Sequence, residues 1–134
     1  MNFTSQICTT KEQSERLLAL GLKYETADMA YEYKPKHLAD TDTDKDWVII
    51  ARSPCGTDIP AWSLSRLLAM IPSFIDIGEY TYMFRMIQGR LFSYRSNIAG
   101  DALLYSMGGV YNSAIYTIEW LIGEGYFNKE YLEK

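Results

Sequence analysis

The chain has little of what most recognisable chemistry requires. Among its 134 residues there is one histidine, two cysteines and four prolines. Cys8 and Cys55 stand far apart with no second pair, which leaves no basis for a disulfide scaffold or a zinc module and marks both as buried or half-exposed thiols. With His37 as the sole imidazole, a histidine-based metal site or a cysteine–histidine dyad would have to be built around that one residue. No GxSxG elbow, P-loop or GxGxxG follows any predicted strand, so neither nucleophile-elbow hydrolases nor common nucleotide binders gain local support. No cofactor is expected. No apolar run approaches the ~18 residues that suggest a membrane span. The opening MNFTSQICTTKEQ lacks the basic start and apolar core of a secretory leader, so the expected compartment is the cytoplasm, with no membrane partner. An excess of basic residues is missing too. Thirteen Lys and Arg against seventeen Asp and Glu give a net charge of −4, which disfavours general adhesion to nucleic-acid phosphates while leaving room for a local basic patch.

What is present is an ordinary globular composition with unusual tyrosine content. The apolar fraction is 48% and the charged fraction 22%, with eleven tyrosines and three tryptophans. A chain of this length suits one compact domain over residues 1–134.

The clearest element lies near the end. Ala114, Ile115, Ile118, Leu121 and Ile122 recur at three- and four-residue spacing and form one apolar stripe on a helix. Asn112 is its expected N-cap, with Tyr111 and Tyr116 as a staple, and Gly125 followed by Tyr126 predicts a Schellman ending on Leu121. Earlier, Thr10 and Gln13 have capping-box spacing before a helix that Gly21 stops. Met29 to Tyr33 alternates like a half-buried strand, and Trp47 to Ala51 is a continuous apolar run that predicts a strand buried on both faces, antiparallel to the first. Ser53 to Ile59 has the composition of a connection. Ser63 caps a second helix, Leu64 to about Met70, with Trp62 and Leu67 at staple positions and Pro72 as its stop.

Glu79 to Arg95 predicts a hairpin. A three-residue loop Ile87-Gln88-Gly89 places Tyr80, Tyr82, Phe84, Phe92 and Tyr94 on one face and Arg85, Ser93 and Arg95 on the other. Ser96 to Val110, broken by Gly100, Gly108 and Gly109, is read as loop, with Leu103 to Tyr105 as a candidate short extra strand. The predicted order is helix, strand, strand, helix, strand, strand, helix. That is an α+β domain with one antiparallel sheet of about four strands and the long C-terminal helix on one face.

Asp40, Asp42, Asp44 and Asp46 resemble the opening of a calcium loop. Counted from Asp40, the sixth position is Lys45 where glycine is needed and the twelfth is Ala51 where glutamate belongs, so the segment is read as a solvated acidic loop. Glu79, Asp101, Glu119 and Glu124 are the carboxylates that acid–base work could draw on, and nothing in the sequence pairs them.

Three groups of segments carry a resemblance: Glu12-Gln13-Ser14 with Leu17-Leu18, then Leu20-Gly21-Leu22 and Glu25 to Met29; Ile59 to Leu64 with Leu67-Leu68; and Ile118 to Ile122 with Glu124 to Phe127. Together they resemble a group of small uncharacterised proteins of phage-like and other mobile elements in gut bacteria. The resemblance implies a cytoplasmic accessory protein of such an element and brings no activity or catalytic residue with it.

The leading expectation is a non-enzymatic interaction module whose partner is protein, either another copy or a different chain. Its expected surface includes Trp62, or a sheet edge open to a partner strand. The alternative is single-stranded nucleic-acid binding through Arg85, Arg90 and Arg95 of the hairpin, which requires rings and cations on the same exposed face. An enzyme with an unrecognised site is the third.

Overall fold

A computed structural model describes residues 5–35, 45–87, 91–96 and 102–133. The class is α+β, with three α-helices and two antiparallel sheets among the described residues, where one sheet was expected. The chain divides into two compact units, Met1–Arg66 and Leu67–Lys134.

The first unit opens with α1, Lys11–Ala19. Thr10 Oγ1 accepts from the Gln13 N–H and the Gln13 side chain accepts from the Thr10 N–H, the predicted capping box. Gly21, at φ 102°, ends the helix. The Gly21 and Leu22 N–H groups donate to the Leu18 and Leu17 carbonyls, and Leu17 and Leu22 are both buried, as a Schellman ending requires. Three strands follow: β1, Met29–Pro35; β2, Lys45–Ile50; and β3, Ile59–Ala61. They pair antiparallel in the order β2-β1-β3. The predicted β1–β2 pair is present, and Tyr33 opposes Trp47 with ring centroids 4.8 Å apart.

Strand β2 differs from expectation. It lies at the end of the sheet order, and Val48 and Ile49 are exposed instead of buried. A continuous apolar run reports hydrophobicity on both faces, and pairing along only one edge leaves such a strand partly uncovered. Strand β3 falls partly within the segment read as a connection. It is three residues long and contains Pro60, so neither length nor composition announced it.

Helix α2, Leu64–Met70, begins at the end of the first unit and has the predicted extent. Ser63 Oγ accepts the Arg66 N–H, while Asp28 receives both the N–H and the hydroxyl of Ser63 at 2.9 and 2.5 Å.

The second unit contains β4, Phe74–Ile77; β5, Tyr80–Ile87; β6, Leu91–Arg95; and β7, Ala102–Met107, in that order across one antiparallel sheet. Strand β4 was not expected, and β7 occupies part of the segment read as loop, over the Leu103–Tyr105 stretch that is its candidate extra strand. The hairpin of β5 and β6 pairs Phe84 with Tyr94 and Ile87 with Leu91, where the predicted loop would pair Phe84 with Phe92; Gln88 and Gly89 of that loop lie outside the described residues. That moves the register by two residues. Because side chains alternate with period two, the faces are unchanged: Tyr82, Phe84, Phe92 and Tyr94 share one, Arg85, Ser93 and Arg95 the other.

Helix α3, Val110–Glu124, packs on β6 and β7. Ala114, Ile115, Ile118 and Leu121 are fully buried, each larger one contributing roughly 1.5–3 kcal/mol of burial. The Tyr94 and Trp120 rings meet at 5.9 Å, placing the hairpin's aromatic face under this helix. Its start is earlier than predicted. Gly109 is the N-cap with no side-chain cap bond, Asn112 lies inside the helix, and Tyr111 is buried while Tyr116 is 43% exposed, so the expected staple is absent. The far end follows expectation. Gly125 stands at φ 82°, and the Gly125 and Tyr126 N–H groups donate to the Ile122 and Leu121 carbonyls at 3.2 and 2.9 Å. No helix among the described residues is long and apolar enough to cross a membrane.

Candidate functional site: the open face of the four-stranded sheet

The two faces of the β4–β7 sheet have opposite fates. On the α3 side, Ile75, Tyr82, Phe92, Tyr94 and Leu104 are buried. Tyr94 carries its hydroxyl with it and donates to the Pro72 carbonyl at 2.5 Å, and burial pushes its phenol well above the usual tyrosine range. The opposite face is open. Strand pairing sets its rows: Phe74 opposes Met83, which opposes Arg95; one row on, Arg85 opposes Ser93, which opposes Tyr105. Phe74 is 60% exposed, Tyr105 56% and Ile87 48%, and both Arg85 and Arg95 are exposed.

At the centre of this open face lies an anomaly. Ser93 is fully buried, yet its Oγ has no hydrogen-bond partner among the described residues. A buried polar atom left unpaired costs about 1–3 kcal/mol, so the position calls for a physical account. The only acidic group in the described rows is Asp76, which accepts from the Thr81 hydroxyl at 2.6 Å at one end of the face.

The predicted site residues are therefore redistributed. Arg85 and Arg95 lie together on the open face, directly beside Ser93 in register. Arg90 lies outside the described residues. Trp62 is a correction: it is completely buried in the first unit, where its indole N–H donates to Thr26 Oγ1 at 2.9 Å and its backbone pairs with Thr9. The staple position fixed where the ring starts; it could not show that the ring would be covered. Phe74 and Tyr105, the exposed rings of this face, are not among the predicted site residues. The signal for β4 was weak: Phe74-Ile75-Asp76-Ile77 is a short apolar stretch between Pro72 and Gly78 with no strict alternation.

Chemistry elsewhere is sparse. His37, Asp101 and the acidic residues Asp40, Asp42 and Asp44 lie outside the described residues. Glu79 and Glu124 are exposed and Glu119 is half-buried, and no group of three His, Cys, Asp or Glu among the described residues could hold a metal ion. Cys8 is buried, and burial raises its thiol pKa; Cys55 is exposed. Cys55 sits in a turn where Asp58 Oδ2 accepts its N–H and the Arg52 guanidinium, and these bonds, the backbone one first, hold the Asp58 carboxyl below its ordinary range. A concavity of about 230 Å³ is lined by residues 69–72 with Tyr126, Asn128 and Tyr131, and contains no carboxylate, imidazole or thiol for acid–base or nucleophilic work.

No protein-family model, curated protein or solved structure matches this chain.

Proposed function

We propose that the protein is a non-enzymatic interaction module, that its partner is another protein, and that the open face of the β4–β7 sheet is where the partner docks. The observation that carries this is the composition of that face: Phe74, Met83, Arg85, Ile87, Arg95 and Tyr105 with Asp76 as its acid and no lysine or glutamate in the described rows. Aromatics, methionine and arginine are the residues enriched at protein interfaces, and lysine and glutamate are among those depleted. The resemblance to mobile-element proteins supplies a setting, a cytoplasmic accessory role in which the partner is encoded by the element or its bacterial host.

Single-stranded nucleic acid is the second reading, favoured by one observation: Phe74 and Tyr105 share their exposed face with Arg85 and Arg95. It ranks lower. Two described arginines neutralise few phosphates, Tyr82, Phe84, Phe92 and Tyr94 point the other way, and the chain is acidic overall.

The test compares wild type with the double variant Phe74→Ala/Tyr105→Ala as nuclease-treated baits in the native host. Both rings are exposed, so the variant should keep its urea midpoint and lose the partner. A partner retained by the folded variant removes this face from the account, and nucleic acid recovered only without nuclease selects the second reading.

A further inference from the structure

The composition of the open face names a docking surface; its centre says something about what docks. We propose that Ser93, flanked by Arg85 and Arg95, is an anchor for a carboxylate, and that the partner presents it on a short acidic segment whose apolar side chains rest on Phe74, Ile87 and Tyr105. This rests on the docking reading above and adds the chemistry of the partner.

Three observations converge on it. Ser93 Oγ is buried without a partner, although a serine hydroxyl on a sheet face ordinarily finds one. Arg85 directly opposes Ser93 across the β5–β6 pair, at about 5 Å between Cα atoms, and Arg95 lies two residues along the same strand on the same side, at roughly 7 Å. Arg95 has no ion-pair or hydrogen-bonding side-chain partner among the described residues. An incoming carboxylate at this centre would accept from the hydroxyl and from a guanidinium at once, the charge-assisted geometry that arginine is suited to provide. Two exposed side chains beside Ser93, those of Arg95 and Tyr105, have the rotamer freedom to admit it.

Area decides between a segment and a second copy. Four strands spaced ~4.8 Å apart, taken over about five residues at ~3.4 Å each, give a face of roughly 300 Å². A stable protein interface of standard size needs about 800 Å² from each partner, and a self-complementary pairing of this face would bring two arginine pairs toward their own copies. A short acidic segment fits both the area and the charge.

The test is fluorescence anisotropy with a labelled peptide of about eight residues alternating Glu with Leu and Tyr, long enough in extended form to cross the face. Its Gln-for-Glu and Lys-for-Glu counterparts and an oligothymidylate of similar length serve as comparison probes. The acidic peptide should bind about tenfold or more tighter than the Gln peptide, and Ser93→Ala and Arg95→Gln should each weaken it several-fold. Equal binding of the acidic and Gln peptides, or unchanged affinity in Ser93→Ala, overturns the anchor while leaving the docking face intact. Tighter binding of the oligothymidylate overturns both. Failure of every probe overturns the anchor alone, because the bait comparison with Phe74→Ala/Tyr105→Ala judges the docking face independently.

Discussion

Replacing Trp62 by alanine is expected to be among the most damaging single changes in the first unit. The indole is 0% exposed, and its N–H donates to Thr26 Oγ1 at 2.9 Å. Truncating a buried tryptophan costs ~3–5 kcal/mol through lost burial and the cavity left behind. With a urea slope of ~2 kcal/mol/M, the midpoint should fall by about 2 M. Trp62→Phe separates the two contributions: most of the ring volume stays, the N–H is lost, and Thr26 keeps its own bond to the Lys23 carbonyl, so the cost should be only about 1–2 kcal/mol. Urea titration read by far-UV circular dichroism measures both variants. A Trp62→Ala midpoint equal to wild type would refute the burial of this ring and restore it to the surface.

Other consequences follow from individual buried groups. Tyr94 has its folded-state pKa raised by burial, so the unfolded chain releases this proton first. Stability should therefore be whole below about pH 10 and fall above it by as much as ~1.4 kcal/mol per pH unit, seen as alkaline unfolding in which the last tyrosinate absorbance appears together with the loss of structure; early ionisation of every tyrosine in the folded protein would contradict it. A thiol reagent should modify one cysteine rapidly in the native protein, Cys55, and Cys8 only on unfolding; peptide mapping that finds Cys8 labelled first would reverse the assignment. Ser93→Ala removes an unpaired buried oxygen and should raise stability by ~1 kcal/mol or leave it unchanged. A loss of that size in urea melts would mean that the hydroxyl has a partner in the folded protein.

Local chemistry was legible in the sequence where a few neighbouring residues decide the outcome. Thr10 with Gln13, Ser63 before Leu64, and Gly125 before Tyr126 each close or open a helix through bonds made within one turn, and each is present. The stripe of α3 was equally legible, because four of its five predicted positions are fully buried. The strands that were hardest to read depend on distant partners. Strand β3 is recognised by pairing with β1, and β7 by pairing with β6, neither of which a short window reveals. The hairpin occupies both categories: its pairing register differs from the predicted one by two residues, yet the period of two kept Arg85, Ser93 and Arg95 on the same face. What joins them to Phe74 and Tyr105 is sheet order, and that is why the candidate site was only half visible beforehand.

The central claim is that partners meet the protein on the open face of the β4–β7 sheet. Hydroxyl-radical footprinting of the captured complex against the free protein tests it most directly, since Phe74, Met83 and Tyr105 are oxidisable and the two rings are exposed. The account predicts protection of these three with no change at Val48 and Ile49, the exposed apolar residues of the β2 edge. Protection of Val48 and Ile49, with Phe74 and Tyr105 still oxidised as in the free protein, would contradict it.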